Sequence, residues 1–135
     1  MVLVVDDDAA VRQVTADMLR ELGYQVMEAE DGADALARLS QADLPVDFLV
    51  VDYAMPGMNG LQVAAAVREM TIDVPIVMIT GYAEMADPSD SGADPIDGLL
   101  RKPFTIRELQ DMLIRLRHLP RNAFNVIPLR TPRRG

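Results

Sequence analysis

The chain has no cysteine, and among its 13 basic residues there is a single lysine, Lys102. Without cysteine there is no disulfide framework, no thiolate metal site and no cysteine nucleophile. That composition fits a reducing cytoplasm. No apolar run approaches the roughly 20 residues needed to span a bilayer. Met1 leads directly into a strand-like run rather than a charged and then apolar leader. Internal repeats are absent, and no glycine-rich phosphate loop follows any of the strand-like runs, which argues against a nucleotide-binding module. The net charge of −8 argues against this domain gripping nucleic acid or anionic lipid. In a chain that otherwise uses arginine, the lone lysine supplies a compact, mobile point charge suited to a phosphate or carboxylate; codon bias is the bland alternative.

What is present is a core. The chain has 135 residues, half of them hydrophobic, which suits one domain and is too apolar for a disordered chain. Its organising stretch runs from Phe48 to Gly60. Four apolar residues, Phe48 to Val51, stop at Asp52, and a Pro/Gly-rich loop follows with Met55, Pro56 and Gly57. So short a run, bounded by turn residues, reads as a strand buried on both faces. Val2 to Val5 repeats the pattern and ends in Asp6, Asp7 and Asp8. A helix is expected from about Ala9 to Leu22, with Val11, Val14, Met18 and Leu22 near helical spacing and Gly23 as its stop. Tyr24 to Glu30 reads as the second strand. The second helix presents Ala35, Leu36 and Leu39. The third is capped by Asn59 and turns Leu61, Ala64 and Val67 inward to about Met70. Pro75 to Thr80 is the fourth strand and Gly98 to Arg101 the fifth. Thr105 opens the last helix with Glu108 at capping-box spacing, and Ile106, Leu109, Leu113 and Leu116 form its stripe. Between them, 81–97 is broken by Pro88, Gly92 and Pro95 and admits only a short helix over 83–86. We divide the chain into a domain over 1–117 and a basic, proline-punctuated tail or linker over 118–135.

Alternating strands and helices imply an α/β fold, a parallel sheet covered on both faces. Right-handed crossovers then bring Asp6, Asp7, Asp52 and Thr80 to one sheet edge, with Lys102 beyond the fifth strand. In open α/β sheets that edge is where ligands bind. Crowded carboxylates repel, so a cation must offset them, and an all-oxygen set suits magnesium, with manganese as the alternative. Metal, ammonium and hydroxyl around one carboxylate would stabilise a transferring phosphoryl group. Asp52, solitary at its strand end, is the better nucleophile; Asp6 and Asp7 are the better metal holders.

These residues carry a family resemblance. Val4-Val5-Asp6-Asp7, Asp52 with Met55, Pro56, Gly57 and Gly60, then Thr80, and Lys102-Pro103-Phe104 resemble, in order and spacing, the receiver domain of two-component response regulators. The resemblance spans about Val2 to Leu116. It implies a flavodoxin-like, doubly wound five-stranded sheet of order 2-1-3-4-5. It further implies Asp52 as phosphoacceptor from a histidine kinase or histidine phosphotransfer protein. Magnesium would be held by Asp7, Asp52 and the backbone carbonyl of Ala54, with Asp6 acting mostly through water. Lys102 would contact the phosphoryl oxygens, and Thr80 would act as the switch. Output would pass to a protein partner through the face from the fourth strand to the last helix, without nucleic acid or membrane contact, and a homodimer is compatible with this. Such a domain is a cytoplasmic signalling module that assists its own phosphorylation and dephosphorylation, not an enzyme in isolation.

Three departures qualify the likeness. Leu99 stands where the family often has a switch aromatic. The segment 81–97 is too broken for the usual fourth helix. Ala54 and Tyr82 occupy positions that tune hydrolysis of the acyl phosphate, and neither offers a carboxylate or amide to orient water, so slow self-dephosphorylation is expected. A haloacid-dehalogenase-type phosphatase would need a second Asp where Ala54 stands. A degenerate receiver, acting only as an interaction module, would not need the complete acidic set. The start at the first strand and the run from Gly98 to Phe104 look similar to receivers of hybrid histidine kinases, so a piece of such a protein is expected over a stand-alone regulator.

Overall fold

The computed structural model describes residues 1–41, 45–81 and 95–117. In chain order the elements are β1 (Val2–Val5), α1 (Ala9–Glu21), β2 (Val26–Ala29), α2 (Gly32–Gln41), β3 (Phe48–Asp52), α3 (Gly60–Glu69), β4 (Ile76–Thr80), β5 (Gly98–Arg101) and α4 (Ile106–Arg117). All strand pairs are parallel, and the sheet order is β2-β1-β3-β4-β5. The expected doubly wound sheet is therefore present.

The strands are apolar at successive positions because both faces are covered. Leu3, Val5, Leu49, Val51, Ile76 and Met78 meet Ala35 of α2 and Val63, Ala64 and Val67 of α3. Their neighbours Val2, Val4, Val50, Val77 and Ile79 point the other way, onto Leu19 of α1 and Leu109, Leu113 and Leu116 of α4. A residue-by-residue alternation thus feeds two cores from one sheet.

Side-chain caps fix where the helices begin. Asp8 accepts from the amides of Ala10 and Val11. Asn59 and Gln62 form a reciprocal capping box on α3, and Thr105 and Glu108 form another on α4. Gly23, at φ +98°, takes the left-handed turn that ends α1. Gly60 is needed for closeness: a Cβ there would lie 2.8 Å from the Asp52 carbonyl oxygen. Its hydrogen seats α3 directly on the end of β3.

Several expectations shift. β2 covers Val26–Ala29 rather than Tyr24 to Glu30, because Tyr24 leaves the strand path. Its ring meets Phe48 edge-on with centroids 6.0 Å apart, and its hydroxyl accepts from Arg117 at 2.9 Å. On α1 Thr15, Ala16 and Leu19 are buried and Met18 and Leu22 of the expected stripe pack partly buried against the same core, whereas Val14 is 57% exposed. On α3 Val63 is buried while Leu61 is only partly so. On α4 Met112 replaces Ile106 in the buried stripe. The short helix expected over 83–86 and the tail over 118–135 lie outside the described residues. No described helix is long and apolar enough to cross a membrane.

Candidate functional site

The sheet's order reverses between β1 and β3, and the acidic residues sit there. Asp6 and Asp7 follow the last residue of β1, and Asp52 is the last residue of β3. Val5 lies beside Val51 in register, which sets Asp6 level with Asp52. Carboxylate oxygens of Asp6, Asp7 and Asp52 all lie within 4.8 Å of one another. Asp6 and Asp52 are buried and Asp7 is exposed. Apolar strand interiors end abruptly here, so the backbone itself carries these charges to the mouth of the crevice.

Lys102 arrives from the far strand. Its amide donates to the Thr80 carbonyl at 2.8 Å, holding the turn after β5 against the end of β4. Its Nζ lies 3.0 Å from Oδ1 of Asp52. Thr80 is fully buried, and its hydroxyl donates to the Gly81 carbonyl at 3.3 Å. The structure brings Asp6, Asp7, Asp52 and Lys102 together, with Thr80 at the adjoining strand end. Ala54 is exposed in the loop after β3. Leu99 pairs with Met78 in register and packs partly buried against the α2–α3 side. Tyr82 lies outside the described residues.

Electrostatics match this crowding. Burial pushes the Asp6 carboxyl up from 3.8 to about 6, and the carboxylates of Asp52 and Asp7 push the same way. The Asp8 amide, 2.9 Å from Asp6 Oδ1, and the Lys102 ammonium pull against that rise. Among the described residues, the Lys102 ammonium stands against three converging carboxylates. The donor set is all oxygen, and its close convergence fits a hard divalent cation such as magnesium.

Sequence reasoning missed two features. An apolar cleft of about 260 Å³ opens beside the acidic residues, walled by Val11, Val14 and Met18 of α1 and by Pro103 and Phe104, with Asp6 and Lys102 at its edge. A signal for it was present: α1 carries two apolar stripes, and only one can face the sheet. The second is Arg12, whose guanidinium donates to the Asp6 carbonyl at 2.7 Å and to Glu28 at 2.9 Å.

Known proteins resemble this chain in sequence and fold. A family model described as the response regulator receiver domain matches residues 2–114. The chemotaxis protein CheY-3 of Vibrio cholerae is 35% identical over 115 residues, 83% of this chain and 87% of its own. The sensor histidine kinase RcsC of Salmonella typhi is 35% identical over 113 residues, 84% of this chain but 12% of its own. Among solved structures, the response regulator protein TrrA of Thermotoga maritima, in complex with Mg2+-BeF, superposes with a TM-score of 0.73 at 31% identity, covering 85% of this chain and 96% of that one. A family model that matches residues 2–114 and a relative 35% identical over 83% of this chain show that the chain belongs to the response regulator receiver domain family.

Proposed function

We propose that this domain accepts a phosphoryl group from a phosphohistidine on a histidine kinase or histidine phosphotransfer protein and holds it on Asp52. The observation that carries the reading is the convergence of three carboxylates within 4.8 Å with one ammonium 3.0 Å from Asp52. A carboxylate oxygen of Asp52 attacks phosphorus as the P–N bond to the donor imidazole breaks; the electron pair leaves on that nitrogen, which takes up a proton. Magnesium or manganese, held by Asp7, Asp52 and the Ala54 carbonyl and through water by Asp6, would neutralise charge on the phosphoryl oxygens. The solved relative in complex with Mg2+-BeF supports that assignment. Lys102 leaves its pairing with the free carboxylate for the phosphoryl oxygens. Thr80 turns its hydroxyl from Gly81 towards the same oxygens and draws the loop after β4 with it. Output leaves through the face from β4 to α4.

The apolar cleft beside the acidic residues supports a docking role. Val14 is the most exposed large apolar residue described, and it lines the cleft that has Asp6 and Lys102 at its edge. Matched relatives include both a protein of this chain's length and a much longer sensor kinase, so the domain is a signalling module in either setting. Ala54 offers no group to orient an attacking water, so the acyl phosphate is expected to outlast that of the quickest chemotaxis-type regulators. Phosphate release at their speed from labelled protein would overturn that expectation.

Labelling with acetyl phosphate and magnesium, read by intact mass, tests the central claim. Wild type should gain one phosphoryl group and Asp52→Asn none. A folded wild type that stays unlabelled, or a variant that labels equally, would sink it.

A further inference from the structure

The turn that carries Asp6 and Asp7 is held through the amide, the carboxylate and the carbonyl of Asp6. The Asp6 amide donates to the Ala29 carbonyl at 3.2 Å. The Asp6 carboxylate accepts from the Asp8 amide. The Asp6 carbonyl accepts from Nη1 of Arg12 at 2.7 Å, and Nε of the same guanidinium donates to Oε1 of Glu28 on β2 at 2.9 Å. Oε2 of Glu28 faces Arg20 at 3.5 Å. The Arg12 and Glu28 side chains are only 18% and 28% exposed, so the contact is built into the junction of α1, β2 and the turn.

We propose that Arg12, oriented by Glu28, is a positioning residue for the metal-holding turn, fixing where the Asp6 and Asp7 carboxylates stand. This rests on the reading above that the turn holds a divalent cation. A planar guanidinium holds two acceptors apart with donors on separate nitrogens in a fixed plane, whereas an ammonium's three donors radiate from a single nitrogen and turn freely. Groups that orient metal ligands without touching the metal govern affinity through geometry.

Charge and geometry predict opposite signs here. Arg12 is a cation near a cation site, so if it acted by charge alone, removing it would tighten magnesium binding. If it positions the turn, removing it loosens binding. Calorimetric titration of the full chain with magnesium separates the two, run alongside urea unfolding in chelator. Arg12→Gln and Arg12→Lys should both weaken magnesium binding about ten-fold. Glu28→Gln should weaken it less, because the amide oxygen still accepts from Nε. Tighter binding by Arg12→Gln with Arg12→Lys unchanged would overturn the proposal in favour of charge. Lower urea midpoints with unchanged magnesium affinity would overturn it in favour of a purely structural ion pair. A wild type that binds no magnesium would instead overturn the reading of the site itself.

Discussion

The two ends of the sheet handle charge in opposite ways. At the amino end, charges come matched. Arg68 of α3 donates to the carbonyls of Ile72, Val74 and Pro95 and pairs with Asp97 at 2.8 Å. Asp97 in turn accepts from the amide of Ile76, so one ion pair ties the starts of β4 and β5 together. At the carboxyl end, three carboxylates face one lysine. The central strands β1, β3 and β4 connect both ends, and their interiors are apolar. The matched end holds the sheet in register, whereas the mismatched end keeps like charges closer than they would choose, at a cost the two cores offset. A surplus of negative charge is what a divalent cation requires, and it persists only because the rest of the sheet is tightly held.

Disturbing each end separately should break that comparison into its parts. The largest effect belongs to Asp7→Asn: magnesium affinity should fall by more than about 100-fold, while stability in chelator holds or rises because one repelling charge is gone. A large loss of stability would mean that Asp7 holds the fold rather than a metal. Next comes Arg68→Ala, which removes a half-buried ion pair and strips three carbonyls of their donor. It should cost about 3 kcal/mol in urea unfolding, yet the folded fraction should still label on Asp52. Labelling lost in proportion to more than the unfolded fraction would show that the two ends are coupled.

How much of this was legible in the sequence follows from the same contrast. The carboxyl end was readable because a strand that is apolar at every position and stops at an acid declares its own end, and topology does the rest. Asp52, Asp6, Asp7, Thr80 and Lys102 needed no side-chain detail to be brought to one edge. The buried face of α1 was readable only in part: Met18 and Leu22 pack on the core, but Val14 and Leu19 are both apolar and spacing alone does not say which of them is covered. Tyr24 was read as strand because its partners, Phe48 and Arg117, are distant in sequence. Arg12 carried no signal in the sequence, since nothing local shows that its acceptors are a turn carbonyl and a residue of β2.

The smallest effect is also the sharpest test of the mismatched end, because its sign is unusual. Most carboxylates in folded proteins are held below their unfolded values and add stability as pH rises. Asp6 is pushed up from 3.8 to about 6, first by burial and then by the Asp52 and Asp7 carboxylates. Between those values the folded protein keeps a proton that the unfolded chain gives up, so unfolding releases it. The stability contributed at this site is therefore greatest below about pH 3.8, declines as pH rises, and levels off above about 6. Asp6→Asn removes that term and leaves the other titrating groups in place. In chelator, the urea midpoint of wild type relative to Asp6→Asn should fall as pH is raised across this window; a flat or rising difference would show that the crevice does not disfavour the charged form of Asp6. Saturating magnesium should flatten or reverse the slope, because a cation competes with the proton for the same carboxylate and favours its charged form. A slope unchanged by magnesium would separate Asp6 from the metal and leave Asp7 and Asp52 as the carboxylates that hold it.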